Sequence, residues 1–301
     1  AFILLDQGEK NMARKQSMAL RAVRLALTAS AVIGAAVLAP VQAQTVTAVM
    51  HAALRSLDPV ITTGYIVRNH GYMVYDTLFS LDGDNKIQPQ MLESWKASDD
   101  GKTYTFILRE GLKWHDGKPV TSADCIASIK RWASQDKMGQ MMASMMSGME
   151  AVDDRTFVMR FSEATDLAVR ALAKPSAIPA FMMPERVANT PPSQAIKETI
   201  GSGPFRFVAE EYKPGVQVVY AKNTDYVPRK EPASGMAGGK VVKVDKVKWV
   251  TMPDQMTAVN ALINKEIDFL EKAPFDLLPM LEGNKDINLH VLTAQGGQSE
   301  I

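Results

Sequence analysis

Alternating and periodic apolar positions divide the chain into short strands and amphipathic helices. Residues 45–51, TVTAVMH, alternate between apolar and polar and are rich in β-branched side chains, which predicts a first strand. Residues 64–79 place apolar side chains at helical spacing and predict a helix. The segments 102–109 and 155–161 each follow a turn-forming pair and alternate as strands do.

Capping signals mark the first residues of two later helices. Thr121 is a suitable N-cap, and Asp124 stands three residues later, where a capping-box acid also complements the helix dipole. Asp254 has the same role before the apolar run 255–264. Short strands are predicted over three further segments: 244–252, 266–270 and 287–292.

The order of these elements indicates a mixed α/β fold. Strand segments from both ends of the chain flank a region richer in helix, which suggests a sheet interrupted by an inserted subdomain. We expect the core sheet to use residues 44–79 and 199–295, and the inserted subdomain to span 80–198. A loop rich in Gly and Pro is expected at 228–240.

Residues 12–43 have the layout of a secretory signal peptide. Basic residues precede an apolar stretch, 25–38, and a small-residue cleavage site ends at Ala43. We expect cleavage after Ala43 and a periplasmic location. An uncleaved N-terminal anchor is the alternative, although the apolar stretch is too short to span a bilayer as a permanent helix.

Removal of this segment changes the charge balance. The 301 residues carry 34 basic and 33 acidic side chains, of which residues 1–43 hold five and two, so the remaining chain has a net charge of −2. Residues 1–11 precede the expected start at Met12 or Met18 and are interpreted as extraneous upstream sequence. No long basic run is present, so nucleic acid is not expected as a partner.

Residue types that bind metals or attack substrates are scattered along the chain. The single cysteine, Cys125, excludes an internal disulfide and a multi-cysteine zinc site, and is expected to be a buried, inert thiol. No histidine has a partner four residues away, and no nucleophile elbow or phosphate-binding loop occurs. The sequence therefore predicts no metal site, no cofactor and no catalytic set. The four histidines are His51, His70, His115 and His290.

Six methionines recur at steps of three and one residues and would share one face of a helix. We interpret them as an adaptable packing face, and a Cu(I) site is the alternative, because thioethers suit that ion. They are Met138, Met141, Met142, Met145, Met146 and Met149.

Residues 92–132 read LESWKASDDGKTYTFILREGLKWHDGKPVTSADCIASIKRW and carry a dense series of motifs. The series closely resembles the hallmark region of the family 5 extracellular solute-binding proteins, the peptide, oligopeptide and nickel receptors of ABC importers. The motif residues that we expect to be scaffold are Trp95, Asp100, Gly101, Arg109, Gly111, His115, Asp116, Gly117, Thr121 and Asp124.

Further matches to the family occur elsewhere in the chain and in the family's order: LDP at 57–59, VYDTL at 74–78, GSGPFRF at 201–207, NTDY at 223–226 and ALINKEIDF at 261–269. Lys265 departs from the pattern by standing where Gly is usual, which could alter a turn.

The resemblance implies an α/β fold like that of the type II periplasmic binding proteins, in which two lobes close around a solute. Family members are usually much longer than this mature chain. We therefore expect lobe one with its inserted subdomain, residues 296–301 as the start of the hinge, and a second lobe that is largely missing. Weak solute binding by the chain is expected for the same reason.

The function that the resemblance implies is solute capture for import, without catalysis, by a monomer that docks on an ABC permease. A di- or oligopeptide is the expected solute. Nickel or another non-peptide solute is the alternative within the family. Two other classes remain open: an exported hydrolase that uses His115 and Asp116 as acid and base, and a structural or chaperone-like protein of the cell envelope.

Solute contacts are expected from the loop and helix start after the first strand. Hydroxyls and a guanidinium can bind a carboxylate or a peptide backbone. The candidates are Thr62, Thr63, Tyr65 and Arg68. The alternative is that Tyr65 packs within the fold and that Arg68 is a solvated helix residue.

Overall fold

A computed structural model describes residues 43–291 of the chain. The upstream segment 1–11, the signal peptide up to Gln42 and the hinge residues 296–301 lie outside the described residues. The strands are β1 Thr45–Val49, β2 Asp76–Thr77, β3 Phe79–Leu81, β4 Ile87–Pro89, β5 Leu92–Ala97, β6 Thr103–Leu108, β7 Met146–Ala151, β8 Thr156–Phe161, β9 Phe181–Met182, β10 Phe205–Phe207, β11 Gln217–Lys222, β12 Lys246–Val250 and β13 Phe269–Leu270. The α-helices are α1 Tyr65–Val74, α2 Ser122–Gln135, α3 Lys137–Met145, α4 Leu167–Leu172, α5 Glu185–Ala188, α6 Gln255–Ile263 and α7 Leu278–Glu282.

A five-stranded sheet in the order β10-β11-β12-β1-β13 joins the first strand to the last part of the described chain. β1 runs parallel to both of its neighbours, with Ala48 opposite Trp249 on β12 and Phe269 on β13. Ala48 and Trp249 face the main hydrophobic core, whereas Val49 packs with Ala258 of α6 on the opposite face. The sheet is therefore covered on both faces near the carboxyl end of β1, as the parallel arrangement requires.

A second, four-stranded antiparallel sheet has the order β5-β6-β8-β7 and lies entirely within residues 92–161. Phe106 and Phe157 point from this sheet into the core and are fully buried. Their rings stack with centroids 4.9 Å apart. Trp132 of α2 is also fully buried in the same core. Small two-stranded sheets, β2-β9 and β3-β4, connect this region to the end of α1.

The first predicted helix ends earlier than its apolar spacing indicated. It stops at Val74, and the chain continues as β2 and β3. The amide of Gly203 donates to the carbonyl oxygen of Val74 at 2.9 Å, and both Gly201 and Gly203 approach that carbonyl too closely for a side chain to fit. This tertiary contact takes the carbonyl that a continuing helix would have used.

Two predictions about local structure are wrong. The methionine series does not lie on one helix, because α3 ends at Met145 and the chain then forms β7, where Met149 pairs with Met159 of β8. Pairing with β8 outweighs the helical spacing of the thioethers. Met142 is fully buried and most of the others pack against the main core, so their packing role is confirmed. The predicted strand at 287–292 is also absent over 287–291, where no described strand pairs with it.

Candidate functional site

An open depression of about 680 Å³ lies beside the carboxyl end of β1. The loop after β1, the first turn of α1 and the segment before β9 form its walls. Its lining residues are His51, Thr63, Tyr65, Lys174, Pro175, Ser176 and Ala177. In open α/β sheets, ligands bind outside the carboxyl ends of the strands, so this depression occupies the position expected of a binding site. A second hollow beside β11 and β12 has only about 10 Å³ and is too small for a solute.

The structure brings three of the four predicted contact residues to this depression. Thr63 and Tyr65 line it, and 58% of the Tyr65 surface is exposed. Arg68 places its guanidinium over the Tyr65 ring, 4.5 Å from the ring centroid, and donates to Ser176 Oγ at 3.0 Å. Thr62 does not line the depression, and its hydroxyl accepts a hydrogen bond from the amide of Gly64 at 3.2 Å.

Sequence reasoning missed the polar residues that connect these groups. His51 follows β1 and Glu271 follows β13, and the Nδ1 of His51 lies 2.7 Å from Glu271 Oε2. The amide of Asn69 donates to Glu271 Oε1 at 3.0 Å. The signal that could have found His51 and Glu271 is their position, since both stand within two residues of the ends of parallel neighbouring strands.

The wall formed by residues 174–178 is held on both sides. Tyr72 Oη donates to the carbonyl oxygen of Pro175 at 2.9 Å, and Trp132 Nε1 donates to that of Ile178 at 2.7 Å. Lys174 forms an ion pair with the carboxylate of Asp136, which also caps α3. These contacts come from α1, from α2 and from the N-cap of α3, so the three helices together position the wall.

The His115–Asp116 pair is engaged within the fold. Nδ1 of His115 accepts from the amide of Gly201 at 3.3 Å, and Nε2 donates to the carbonyl oxygen of Gly203 at 3.2 Å. Burial lowers the pKa of His115 to about 4, so the imidazole is neutral at pH 7. Asp116 accepts from the amide of Lys118 at 3.2 Å and pairs with Arg186. Neither ring nitrogen of His115 is free to transfer a proton.

The predicted capping box at the start of α2 is confirmed. Thr121 accepts from the amide of Asp124, and Asp124 Oδ2 accepts from the amide of Thr121 at 2.8 Å. The same carboxylate accepts from Trp114 Nε1 at 3.1 Å and, through Oδ1, from the amide of Glu185 at 2.7 Å. Asp124 therefore joins the start of α2 to Trp114 in the preceding turn segment and to α5.

The remaining motif residues make turns and cross-links. Trp95 on β5 stacks on Tyr104, with ring centroids 6.3 Å apart. Arg109 donates to the carbonyl oxygens of Gln90 and Val227 at 2.9 and 3.1 Å. Gly101 and Gly117 adopt φ values of +66° and +85°, which disfavour any residue with a Cβ atom. Gly111 also has a positive φ. The pKa of Asp100 lies below its usual range, mainly because its carboxylate accepts a hydrogen bond from Ser98 Oγ and also one from the amide of Lys102.

No metal-binding or membrane-spanning feature appears in the part of the chain that the structure describes. Residues 43–291 contain no group of three or more His, Cys, Asp or Glu side chains placed to hold a metal ion. Within the same range, no helix has the length and apolar character needed to cross a bilayer. Cys125 is fully buried, as predicted, and burial raises its pKa. A raised pKa keeps the thiol protonated and unreactive.

The sequence profile of the bacterial extracellular solute-binding proteins, family 5 middle, matches residues 86–300. The chain is 47% identical over 245 residues to a probable peptide ABC transporter periplasmic-binding protein, y4tO, of Sinorhizobium fredii. That alignment covers 81% of this chain and 46% of the relative. The chain thus spans about half the length of the curated relatives that it matches.

Two solved structures have the same fold over most of the described chain. The binding protein AgaA of A. tumefaciens R10, solved with agropinic acid, superimposes with a TM-score of 0.65 at 27% identity, over 80% of this chain and 46% of that chain. A dipeptide-binding protein of Pseudoalteromonas sp. SM9913, solved with Met-Leu, gives a TM-score of 0.68 at 21% identity, over 81% and 50%.

Proposed function

The chain belongs to the bacterial extracellular solute-binding proteins of family 5, and on this premise we propose that it captures a small peptide for import by an ABC transporter. In this proposal the chain binds solute without transforming it. It acts in the periplasm as a monomer after cleavage following Ala43. It delivers its solute to an ABC permease in the inner membrane.

The depression beside β1 is the observation that carries this proposal. It combines an exposed aromatic ring, a guanidinium and hydroxyl groups, and it stands at the carboxyl end of a parallel strand. A peptide offers an apolar side chain for the Tyr65 ring and polar backbone groups for Thr63 and Ser176. Pockets that fix small ligands usually pair aromatic surface with a few placed polar groups in this way.

The choice of a peptide also draws on relatives of the chain. The Sinorhizobium relative is named as a probable peptide-binding protein, and the Pseudoalteromonas structure holds Met-Leu. The AgaA structure, which holds agropinic acid, favours a second candidate: a small non-peptide organic acid. For nickel, the described residues supply no group of protein ligands.

Titration of the purified chain with defined solutes tests the proposal. Ligand-observed NMR detects weak binding and suits Met-Leu, a tripeptide, a longer peptide and agropinic acid as probes. We expect a peptide to bind, and we expect Tyr65→Ala to weaken that binding by about fivefold or more, because an exposed aromatic anchor is lost.

The control is Val152→Ala. Val152 is similarly exposed, at 61%, and lies in the turn between β7 and β8, outside the depression. This substitution should leave the affinity unchanged. Binding of agropinic acid in preference to every peptide would select the second candidate. Failure of all the peptides to bind would contradict peptide capture.

A further inference from the structure

A chain of side-chain hydrogen bonds connects two lining residues of the depression, His51 and Ser176. His51 Nδ1 is bonded to Glu271 Oε2 at 2.7 Å, and Glu271 Oε1 accepts from Asn69 Nδ2 at 3.0 Å. Asn69 Oδ1 accepts from Arg68 Nη2 at 3.1 Å, and Arg68 Nη1 donates to Ser176 Oγ at 3.0 Å. Four segments that are distant in sequence meet in this chain of contacts.

The guanidinium of Arg68 has only neutral partners in this arrangement. It contacts an amide oxygen, a hydroxyl and the face of the Tyr65 ring. Among residues 43–291, no carboxylate oxygen lies within 4.0 Å of its nitrogens. The lysine at the depression, Lys174, is already paired with Asp136, and the ring of His51 is bonded to Glu271. Arg68 therefore brings an uncompensated positive charge to the rim.

Asn69 stands between this charge and the nearest carboxylate in the network. A guanidinium can only donate hydrogen bonds and a carboxylate can only accept them, so one side chain can join the two only if it offers both an acceptor and a donor. The amide of Asn69 does this, with its oxygen toward Arg68 and its nitrogen toward Glu271. Glu271 is further occupied by the ring and the backbone amide of His51.

We propose that Arg68 recognises a carboxylate of the solute, and that Asn69 is the positioning residue that prevents Glu271 from neutralising Arg68. This inference rests on the proposed function and adds a substrate class to it: solutes with a free anionic end. A planar guanidinium can bind a carboxylate through two parallel hydrogen bonds. Asn69 keeps that fork available, because without the amide the two opposite charges are free to pair directly.

Matched solutes that differ only in one charge provide the test. The probes are Met-Leu and a tripeptide, each as the free acid and as its C-terminal amide. We expect the wild-type chain to bind each acid about tenfold or more tightly than its amide, because a charge-assisted hydrogen bond is lost in the amide. Arg68→Gln should bind acid and amide equally, whereas Arg68→Lys should keep part of the preference.

The role of Asn69 is tested with a second substitution that restores the effect. Asn69→Ala should reduce the preference for the acid severalfold, because Arg68 then pairs with Glu271. Adding Glu271→Gln to Asn69→Ala should restore the preference, since no carboxylate remains to capture the guanidinium. A purely structural role for Asn69 would not predict this rescue. Thermal melting of every variant checks that each one is folded.

The outcomes separate this inference from the function on which it rests. If the wild type binds acid and amide equally, carboxylate recognition is wrong while peptide capture stands. If Asn69→Ala keeps the full preference, or if Glu271→Gln does not restore it, Asn69 is not the positioning residue. If the wild type binds neither form of any probe, the proposed function fails and this inference fails with it.

Discussion

The imidazole Nε2 of His115 donates to the carbonyl oxygen of Gly203 at 3.2 Å, across 88 residues of sequence. The other ring nitrogen accepts from the amide of Gly201 at 3.3 Å, and the backbone amide of His115 donates to the carbonyl oxygen of Gly201 at 2.8 Å. Arg206 donates to the carbonyl oxygen of His115 and to Asn223 Oδ1. Three separate motifs, HDG, GSGP and NTDY, therefore form one hydrogen-bonded junction.

Replacement of His115 should reduce stability without changing solute affinity. His115→Ala leaves the Gly201 amide and the Gly203 carbonyl without their partners, and an unsatisfied buried group costs about 1–3 kcal/mol. Urea denaturation should show a loss of about 2 kcal/mol in the free energy of unfolding. His290→Ala removes an exposed histidine and should change it by less than about 0.5 kcal/mol. A large loss of solute affinity in folded His115→Ala would instead place His115 in the binding site.

Acid should destabilise the fold through two histidines that are buried in their neutral form. Burial lowers the pKa of His70 to about 3 and that of His115 to about 4, from an ordinary value of 6.5. The unfolded chain therefore takes up protons first. The stabilisation is complete above pH 6.5 and is lost as the pH falls toward 4, by up to about 1.4 kcal/mol per pH unit for each histidine.

This pH dependence can be measured by urea denaturation between pH 7.5 and 4.5. His115→Gln should be less stable at pH 7.5, and its free energy of unfolding should fall less steeply with decreasing pH than that of the wild type. His290→Gln should retain the full wild-type slope. Equal slopes for wild type and His115→Gln would show that His115 titrates normally in the folded protein.

The pattern of residues along the chain predicted correctly those elements that interactions between near neighbours in sequence determine. The strand that begins at Thr45 and the capping box at Thr121 follow from alternation and from side-chain oxygens three residues apart. The β7 strand was missed because its residues, including Met146 and Met149, have helical spacing and become a strand only by pairing with β8. Pairing between distant segments leaves little trace in a single sequence.

The site was predictable only in part, for the same reason. Tyr65 and Arg68 were predicted because they lie in the loop and helix start after the first strand, which the family resemblance places at the cleft, and the structure puts both beside the depression. Glu271 was missed, since 220 residues separate it from His51 and only the parallel pairing of β1 with β13 brings the two together. The position of Glu271 at the end of a strand is the one local signal, and it does not show which other strand end lies beside it.

Removal of the buried carboxylate of Asp58 should be strongly destabilising. Asp58 Oδ2 lies 2.7 Å from Arg131 Nη2, and the side chains are 0% and 1% exposed. Asp58→Ala leaves a guanidinium buried without its counter-ion, which costs about 3–5 kcal/mol. Glu150→Ala breaks a pair with Arg160 whose side chains are about half exposed, and should cost less than about 1 kcal/mol. Similar losses in the two variants would contradict this assignment.

The thiol of Cys125 should react only when the protein unfolds. It is fully buried on α2, and burial raises its pKa, so very little thiolate is present and access is blocked. Labelling with a maleimide at pH 7.5 should be slow in buffer. In urea, the labelled fraction should increase in parallel with the unfolding transition that far-UV circular dichroism reports. Complete labelling of the native chain within seconds would show that the thiol is accessible.

The turn after α6 should prefer glycine at position 265 and not at position 264. Lys265 adopts a φ of +62°, a left-handed conformation that costs a residue with a Cβ atom about 1–2 kcal/mol, whereas Asn264 has a φ of −80°. Lys265 also forms an exposed ion pair with Asp286, which both Lys265→Gly and Lys265→Ala remove. A comparison of these two variants therefore isolates the backbone conformation. Lys265→Gly should be about 1 kcal/mol more stable than Lys265→Ala in urea denaturation.

The order should be reversed at position 264, where glycine gains nothing from its freedom and loses more entropy on folding. The same order at both positions would show that the positive φ at Lys265 carries no strain.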